Sequence, residues 1–97
     1  MIIFFKKFGT TLNGRQFGRE SFAAFDSSLE NIGKDENVIV DFDGVVTFTP
    51  SWGDEFLNPL VSKFGKRLIL KNTKNPSVQA SLEILEEVYK KKFKIQS

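Results

Sequence analysis

Two segments with the same layout constrain this chain more than anything else in it. Val38-Ile39-Val40 and Leu68-Ile69-Leu70 are short, wholly apolar runs, as expected of strands covered on both faces. Downstream of each stands a capping residue followed at once by proline, Thr49-Pro50 and Asn75-Pro76. Proline suits the first helical position because the N–H it lacks would have no partner there, and the preceding Thr or Asn supplies the cap. Trp52, Phe56, Leu60 and Phe64 then recur every four residues up to Gly65, so a helix begins at Thr49-Pro50-Ser51. Pro59 inside it predicts a kink near residue 55 or a shortened helix. Val78, Leu82, Leu85 and Tyr89 give the buried stripe of a last helix, with Glu83, Glu86, Glu87 and Lys90 on its wet face. Strand followed by helix, twice over, means a sheet with helical cover.

The N-terminal part extends the pattern. Ile2 to Phe8 reads as an opening strand closed by Gly9, and Thr10, Thr11, Asn13 and Gly14 as a turn or helix lead-in. A helix fits from about Gly14 to Asn31, with Phe22, Phe25, Leu29 and Ile32 on one face and Gly33 as its stop. Gly18 lies on that same face, where a missing side chain permits close packing. Asp43-Gly44 breaks the Val38–Val40 strand, and Val45 to Phe48 continues as an edge or bent strand. The expected architecture is one α/β domain over residues 1–97, an about four-stranded mixed sheet with helices mainly on one face.

Composition removes whole classes of function. The 97 residues contain no cysteine and no histidine, which excludes disulfides, Cys/His zinc sites and Ser-His or Cys-His catalytic pairs. No cofactor is implied. The apolar run Met1 to Phe5 is too short for a signal segment or a membrane span, so a soluble cytoplasmic protein is expected. Net charge is +2, with Lys90, Lys91, Lys92 and Lys94 clustered near the end. That run reads as a solvated helix end facing the dipole, and Phe93 alone gives little of the aromatic interleaving that nucleic-acid binding wants. Phenylalanine is abundant, with 11 copies. Most should fill the core; a Phe-rich exposed face would instead support self-association as a structural or viral accessory protein.

One stretch could carry chemistry: Val38-Ile39-Val40-Asp41-Phe42-Asp43-Gly44-Val45. Alone it resembles the nucleophile motif of haloacid dehalogenase-type phosphatases, an apolar strand followed by two aspartates and a glycine. That resemblance implies a Mg²⁺-dependent phosphohydrolase with Asp41 as nucleophile and Asp43 as acid/base. That family opens its fold with this strand, whereas here a strand and a helix precede it. The aspartates also read as turn chemistry at a strand end.

A wider resemblance covers Leu12 to Leu85. Leu12-Asn13-Gly14-Arg15-Gln16-Phe17-Gly18 opens the first helix, and Val40-Asp41-Phe42-Asp43-Gly44-Val45 ends the central strand. Phe48-Thr49-Pro50-Ser51-Trp52-Gly53-Asp54-Glu55-Phe56 starts the second helix, and Leu70-Lys71-Asn72 precedes the last. In this order the segments resemble the STAS-like family, small bacterial and phage domains distantly similar to anti-sigma factor antagonists. The resemblance implies a non-enzymatic protein–protein interaction domain in a regulatory module, with a kinase-like ATPase related to the anti-sigma kinases as partner. It also implies a phosphorylation switch at a serine that starts the helix after the central strand. Pro50 falls where that serine aligns, which leaves Ser51, flanked by Thr49, as the candidate phosphorylation site.

The partner-binding surface expected on this basis comprises Thr49, Ser51, Trp52, Asp54, Glu55 and Arg15. Each has a structural reading beside it. Ser51 can be a second N-terminal capping group with Asp54 completing a capping box, and Asp54-Glu55 in the first turn face the helix dipole favourably. Trp52 would anchor a partner if exposed. Arg15, a cation at a helix start, wants an acidic companion among Asp41, Asp43 and Asp54, or a partner.

Overall fold

The computed structural model describes residues 1–96. Six strands and three α-helices alternate along them: β1 (Ile2–Phe4), β2 (Thr11–Leu12), α1 (Arg15–Phe25), β3 (Val38–Asp41), β4 (Thr47–Phe48), α2 (Pro50–Phe64), β5 (Leu68–Lys71), α3 (Pro76–Tyr89) and β6 (Lys94–Gln96). The main sheet has the order β1-β3-β5-β6, and β2 pairs with β4 in a separate ribbon.

Every pairing is parallel, which corrects the expectation of a mixed sheet. The reason lies in the connections. Neighbours in the main sheet are joined by segments that include a helix, long enough to return the chain to the same end of the sheet. The segment after Asp43-Gly44, expected as an edge or bent strand, leaves this sheet: Gly44 turns at φ 83°, and Thr47–Phe48 pair with Thr11–Leu12. Strand order advances in one direction, so right-handed crossovers put all three helices on one face. Burial agrees with that. Ile3, Val38, Val40, Leu68 and Leu70 are buried beneath the helices, whereas Ile2 and Phe4 on the other face are 50% and 44% exposed.

Three boundaries differ from the sequence reading. The opening strand stops at Phe4 and gives way to a 3₁₀ turn over Phe5–Phe8. Strand alternation through Ile3 and Phe5 would next have aimed Lys7 at the core; the turn keeps Lys7 out and lets Phe8 pack inward. The first helix ends at Phe25 and runs on as a 3₁₀ turn to Leu29, short of Gly33. The basic C-terminal run is a helix end only at its start. Lys90 adopts a left-handed conformation that stops α3, and Lys94–Gln96 form the fourth strand beside β5. The second helix passes through Pro59 without interruption.

Phenylalanine supplies the core. Phe5 contacts the rings of Phe42, Phe48, Trp52 and Phe56 at centroid distances of 4.8–6.2 Å, mostly edge to face, the arrangement that ring quadrupoles favour. Of the 11 phenylalanines, Phe4 and Phe17 alone count as exposed. A continuous Phe-rich outer face is therefore absent from the described residues.

Candidate interaction site

The start of α2 is assembled from three parts of the chain. Thr49 is extended, at φ −106° and ψ 153°, and caps the helix. Its Oγ1 accepts from the N–H of Trp52 at 3.4 Å and of Gly14 at 3.4 Å, and donates to the carbonyl of Leu12 at 3.3 Å. The Thr49 N–H also donates to Leu12 O at 3.0 Å. One threonine thus closes the free end of α2 and fastens the lead-in of α1 onto it.

Ser51 follows at the second helical position and is half-buried. Its Oγ lies 3.5 Å from Thr49 Oγ1, at the outer limit of a hydrogen bond. The expected capping box between Ser51 and Asp54 is not formed, because Thr49 fills the cap and Asp54 is engaged elsewhere. The first turn holds no acidic residue; Asp54 and Glu55 belong to the second, so the dipole does not account for them.

Their companions are cations of α1 and a phenol of α3. Arg15 Nη1 donates to Asp54 Oδ2 at 2.8 Å, and Tyr89 Oη donates to Asp54 Oδ1 at 2.6 Å. Arg19 Nη2 lies 3.1 Å from Glu55 Oε1, with Arg15 at 3.8 Å from the same oxygen. Asp54 is therefore Arg15's companion; Asp41 and Asp43 are not. Partial burial pushes the Asp54 carboxyl up, but the hydrogen bonds from Tyr89 and Arg15, with the Arg15 charge, outweigh it and hold its pKa below the usual carboxylate range. Burial, then the Asp54 carboxylate, raise the Tyr89 phenol well above its ordinary value. The hydrogen bond to Asp54 keeps the Arg15 guanidinium more firmly protonated.

Trp52 does not belong to the surface. It is 0% exposed, stacked on Phe56 at 5.3 Å with the ring planes 10° apart, and its Nε1 has no hydrogen-bond partner among the described residues. The spacing of four that places Phe56, Leu60 and Phe64 inward places Trp52 with them. It is a core residue and cannot anchor a partner.

Asp41 and Asp43 do not converge. Asp41, 6% exposed at the end of β3, accepts through Oδ1 from the Asp43 N–H at 2.9 Å and the Asn72 amide at 2.8 Å. The first of these is an Asx turn. The Asp43 carboxylate is exposed, 4.0 Å from Lys6 Nζ. It borders a recess of about 460 Å³ with Gly44, Asn72, Lys74 and Asn75, which Asp41 does not line.

Reasoning from sequence missed Arg19 and the role of Tyr89. Arg15 and Arg19 stand four apart and so share a helix face, but nothing in the linear chain says that this face meets Asp54-Glu55. Tyr89 reads as the end of an apolar stripe; its hydroxyl finds Asp54 only once α3 packs on α2.

The family model that matches residues 25–78 is described as a STAS-like domain of unknown function. The match covers more than half of the chain and runs through β3, α2 and β5 to the start of α3. The chain belongs to this STAS-like family. No curated protein and no solved structure matches it. Within the STAS-like domain, the matched span holds Thr49, Ser51, Asp54 and Glu55, while Arg15, Arg19 and Tyr89 lie outside it. No helix of the described residues is long and apolar enough to cross a membrane.

Proposed function

We propose that this STAS-like domain is a non-enzymatic protein-interaction module of a cytoplasmic regulatory system, binding its partner through the start of α2. The contact surface is Thr49, Ser51, Asp54, Glu55 and Arg15, and the partner a kinase-like ATPase related to the anti-sigma kinases. The observation that carries this reading is the state of the Ser51 hydroxyl. Thr49 provides the cap, so Ser51 is left half-exposed at a helix start with one marginal contact. Phosphorylation there would add about 1.5 to 2 negative charges. These would sit within a turn of Asp54 and Glu55, competing for the guanidinium groups that now neutralise them. The modification would alter the charge of the surface without removing a core contact.

The test is a pull-down from native lysate with wild type and Ser51→Asp, read by mass spectrometry. Capture of a kinase-like ATPase by wild type and its loss in Ser51→Asp is expected. Equal capture by both forms would place binding on another face and leave Ser51 without a switching role.

A further inference from the structure

The two rims of the main sheet are built differently. β6 closes one side with Lys94 and Gln96, both exposed, just after Lys90, Lys91 and Lys92. Lysine is a common guard on an edge strand, because burying its charge opposes the docking of another strand. β1 closes the other side with Ile2-Ile3-Phe4, which holds no charge and no proline and pairs with β3 without a bulge. Both strands are three residues long, so shortness does not distinguish them; composition does.

The backbone of β1 shows what the unguarded rim offers. The Met1 carbonyl accepts from the Ile39 N–H at 2.8 Å, and along a strand alternate residues direct their backbone groups to the same neighbour. Ile3 therefore bonds β3, while the N–H and C=O of Ile2 and Phe4 face away from it. The Phe4 carbonyl is occupied: Phe4 caps the 3₁₀ turn over Phe5–Phe8, and the C=O of a cap residue takes the first bond of its turn. The Ile2 N–H, the Ile2 C=O and the Phe4 N–H remain, with no partner among the described residues. Donor, acceptor and donor along about 7 Å of extended chain are complementary to the acceptor, donor and acceptor of another extended chain.

We propose that the β1 edge receives an extended segment of a partner protein as a fifth strand of the main sheet. The side chains of Ile2 and Phe4, 50% and 44% exposed, say what that segment carries: apolar residues at alternate positions, lying beside them on the open face. A second copy of this chain is the poorer occupant. Two β1 strands set antiparallel with Ile2 opposite Phe4 would ask each Phe4 carbonyl to accept from the other copy's Ile2 N–H, and that carbonyl already serves the 3₁₀ turn. A partner segment meets no such conflict and satisfies all three groups. The proposal rests on β1 alone and does not depend on the Ser51 surface.

The test is selection of random peptides of about nine residues, displayed on phage, against the immobilised chain, followed by NMR and amide hydrogen exchange with the peptides obtained. Peptides with apolar residues at alternate positions are expected. They should slow exchange at the Ile2 and Phe4 amides about tenfold or more and leave Ile3, already bonded to β3, unchanged. N-methylation of a peptide amide that faces β1 should cost about tenfold in affinity, and N-methylation of the next amide much less. Phe4→Pro removes an outward donor at an edge position, where proline is tolerated, and should weaken binding by about tenfold as well. Should that variant fail to fold, Ile2→Lys places on β1 the guard that β6 carries and should weaken binding in the same sense. A selection that returns no binding peptide, peptides that perturb another face, or exchange at Ile2 and Phe4 unaltered by peptide would overturn the proposal. So would slowing of those two amides with rising protein concentration in the absence of peptide, which would assign the edge to a second copy.

Discussion

Thr49 and Ser51 are neighbouring hydroxyl residues with opposite duties, and the difference is measurable. Thr49 satisfies a free N–H of α2 and holds the α1 lead-in, so Thr49→Ala should lose about 1 kcal/mol of stability, the usual value of an N-cap. Ser51 makes one marginal contact, and Ser51→Ala should stay within about 0.5 kcal/mol of wild type. Urea denaturation of both variants checks this, and a loss at Ser51 equal to that at Thr49 would return it to a structural role. Asp54 gives the pH counterpart. Its folded-state pKa lies below its unfolded value, so its contribution to stability is complete above the ordinary carboxylate range. That contribution fades as pH falls through the depressed value. Tyr89→Phe removes one of the groups that hold the pKa down. It should cost about 1–2 kcal/mol at neutral pH and move the acid-unfolding limb of Asp54 upward. Asp54→Asn should flatten that limb. Denaturant midpoints across an acid pH series read both effects; an unaltered limb in Asp54→Asn would show that other carboxylates control acid unfolding.

At the scale of elements, α1 meets α2 through a gap that only glycine leaves open. A Cβ on Gly18 would lie 2.6 Å from the Trp52 carbonyl oxygen and 3.0 Å from its Cα, both backbone atoms of a packed helix. Alanine usually favours a helix over glycine by about 1 kcal/mol, but here the overpacking cost of about 1–3 kcal/mol opposes it. Gly18→Ala should therefore destabilise on balance, lowering the urea midpoint with an unchanged slope; a raised midpoint would mean that α1 shifts freely. Gly18 was legible in the sequence because it falls on the apolar face of Phe22 and Phe25. So were β3, β5, α2 and α3, whose apolar runs and proline-marked starts are local signals. β6 was not legible: Lys94-Ile95-Gln96 alternates over only three residues beside a lysine run, too short to signal a strand, and it forms one beside the edge of β5. β2 was obscured similarly, two residues long and defined by its pairing with β4, whereas β4 falls within the edge or bent strand expected over Val45 to Phe48. In the candidate site, Ser51, Asp54 and Arg15 could be named from the chain. The burial of Trp52 was foreshadowed by its spacing with Phe56, but the pairing of Arg15 and Tyr89 with Asp54 depends on how three helices pack, which no local pattern encodes.

For the molecule as a whole, the surface that bears on self-association is the sheet face opposite the helices, where Ile2 and Phe4 are exposed while Ile69 and Asp41 are buried. Its rows in register are Ile2, Ile39, Ile69 and Lys94, and then Phe4, Asp41, Lys71 and Gln96. The apolar part is concentrated in the first three strands and is interrupted by Asp41 and Lys71. Four strands about 4.8 Å apart, three residues of about 3.3 Å deep, make a face on the order of 200 Å² in plan. Stable dimers bury about 800 Å² per partner, so this face by itself is too small to hold two copies together. The remaining exposed apolar residues do not extend it: Ile84 and Val88 lie on α3, Phe17 on α1 and Val46 just before β4, and Ile95 on β6 is in register with Leu70 on the helix side. Nearly all of the phenylalanine surface is spent inside, around Phe5, Phe56 and Trp52. The chain should accordingly be monomeric in solution, and mass measurement across a concentration series from low to high micromolar checks it. A constant monomer mass fits a domain whose contacts are made with a different protein. A mass that doubles in that range, and reverts in Phe4→Ser with Ile2→Ser, would show that the open sheet face is a self-association surface after all and would revive the assembly reading of this phenylalanine-rich sequence.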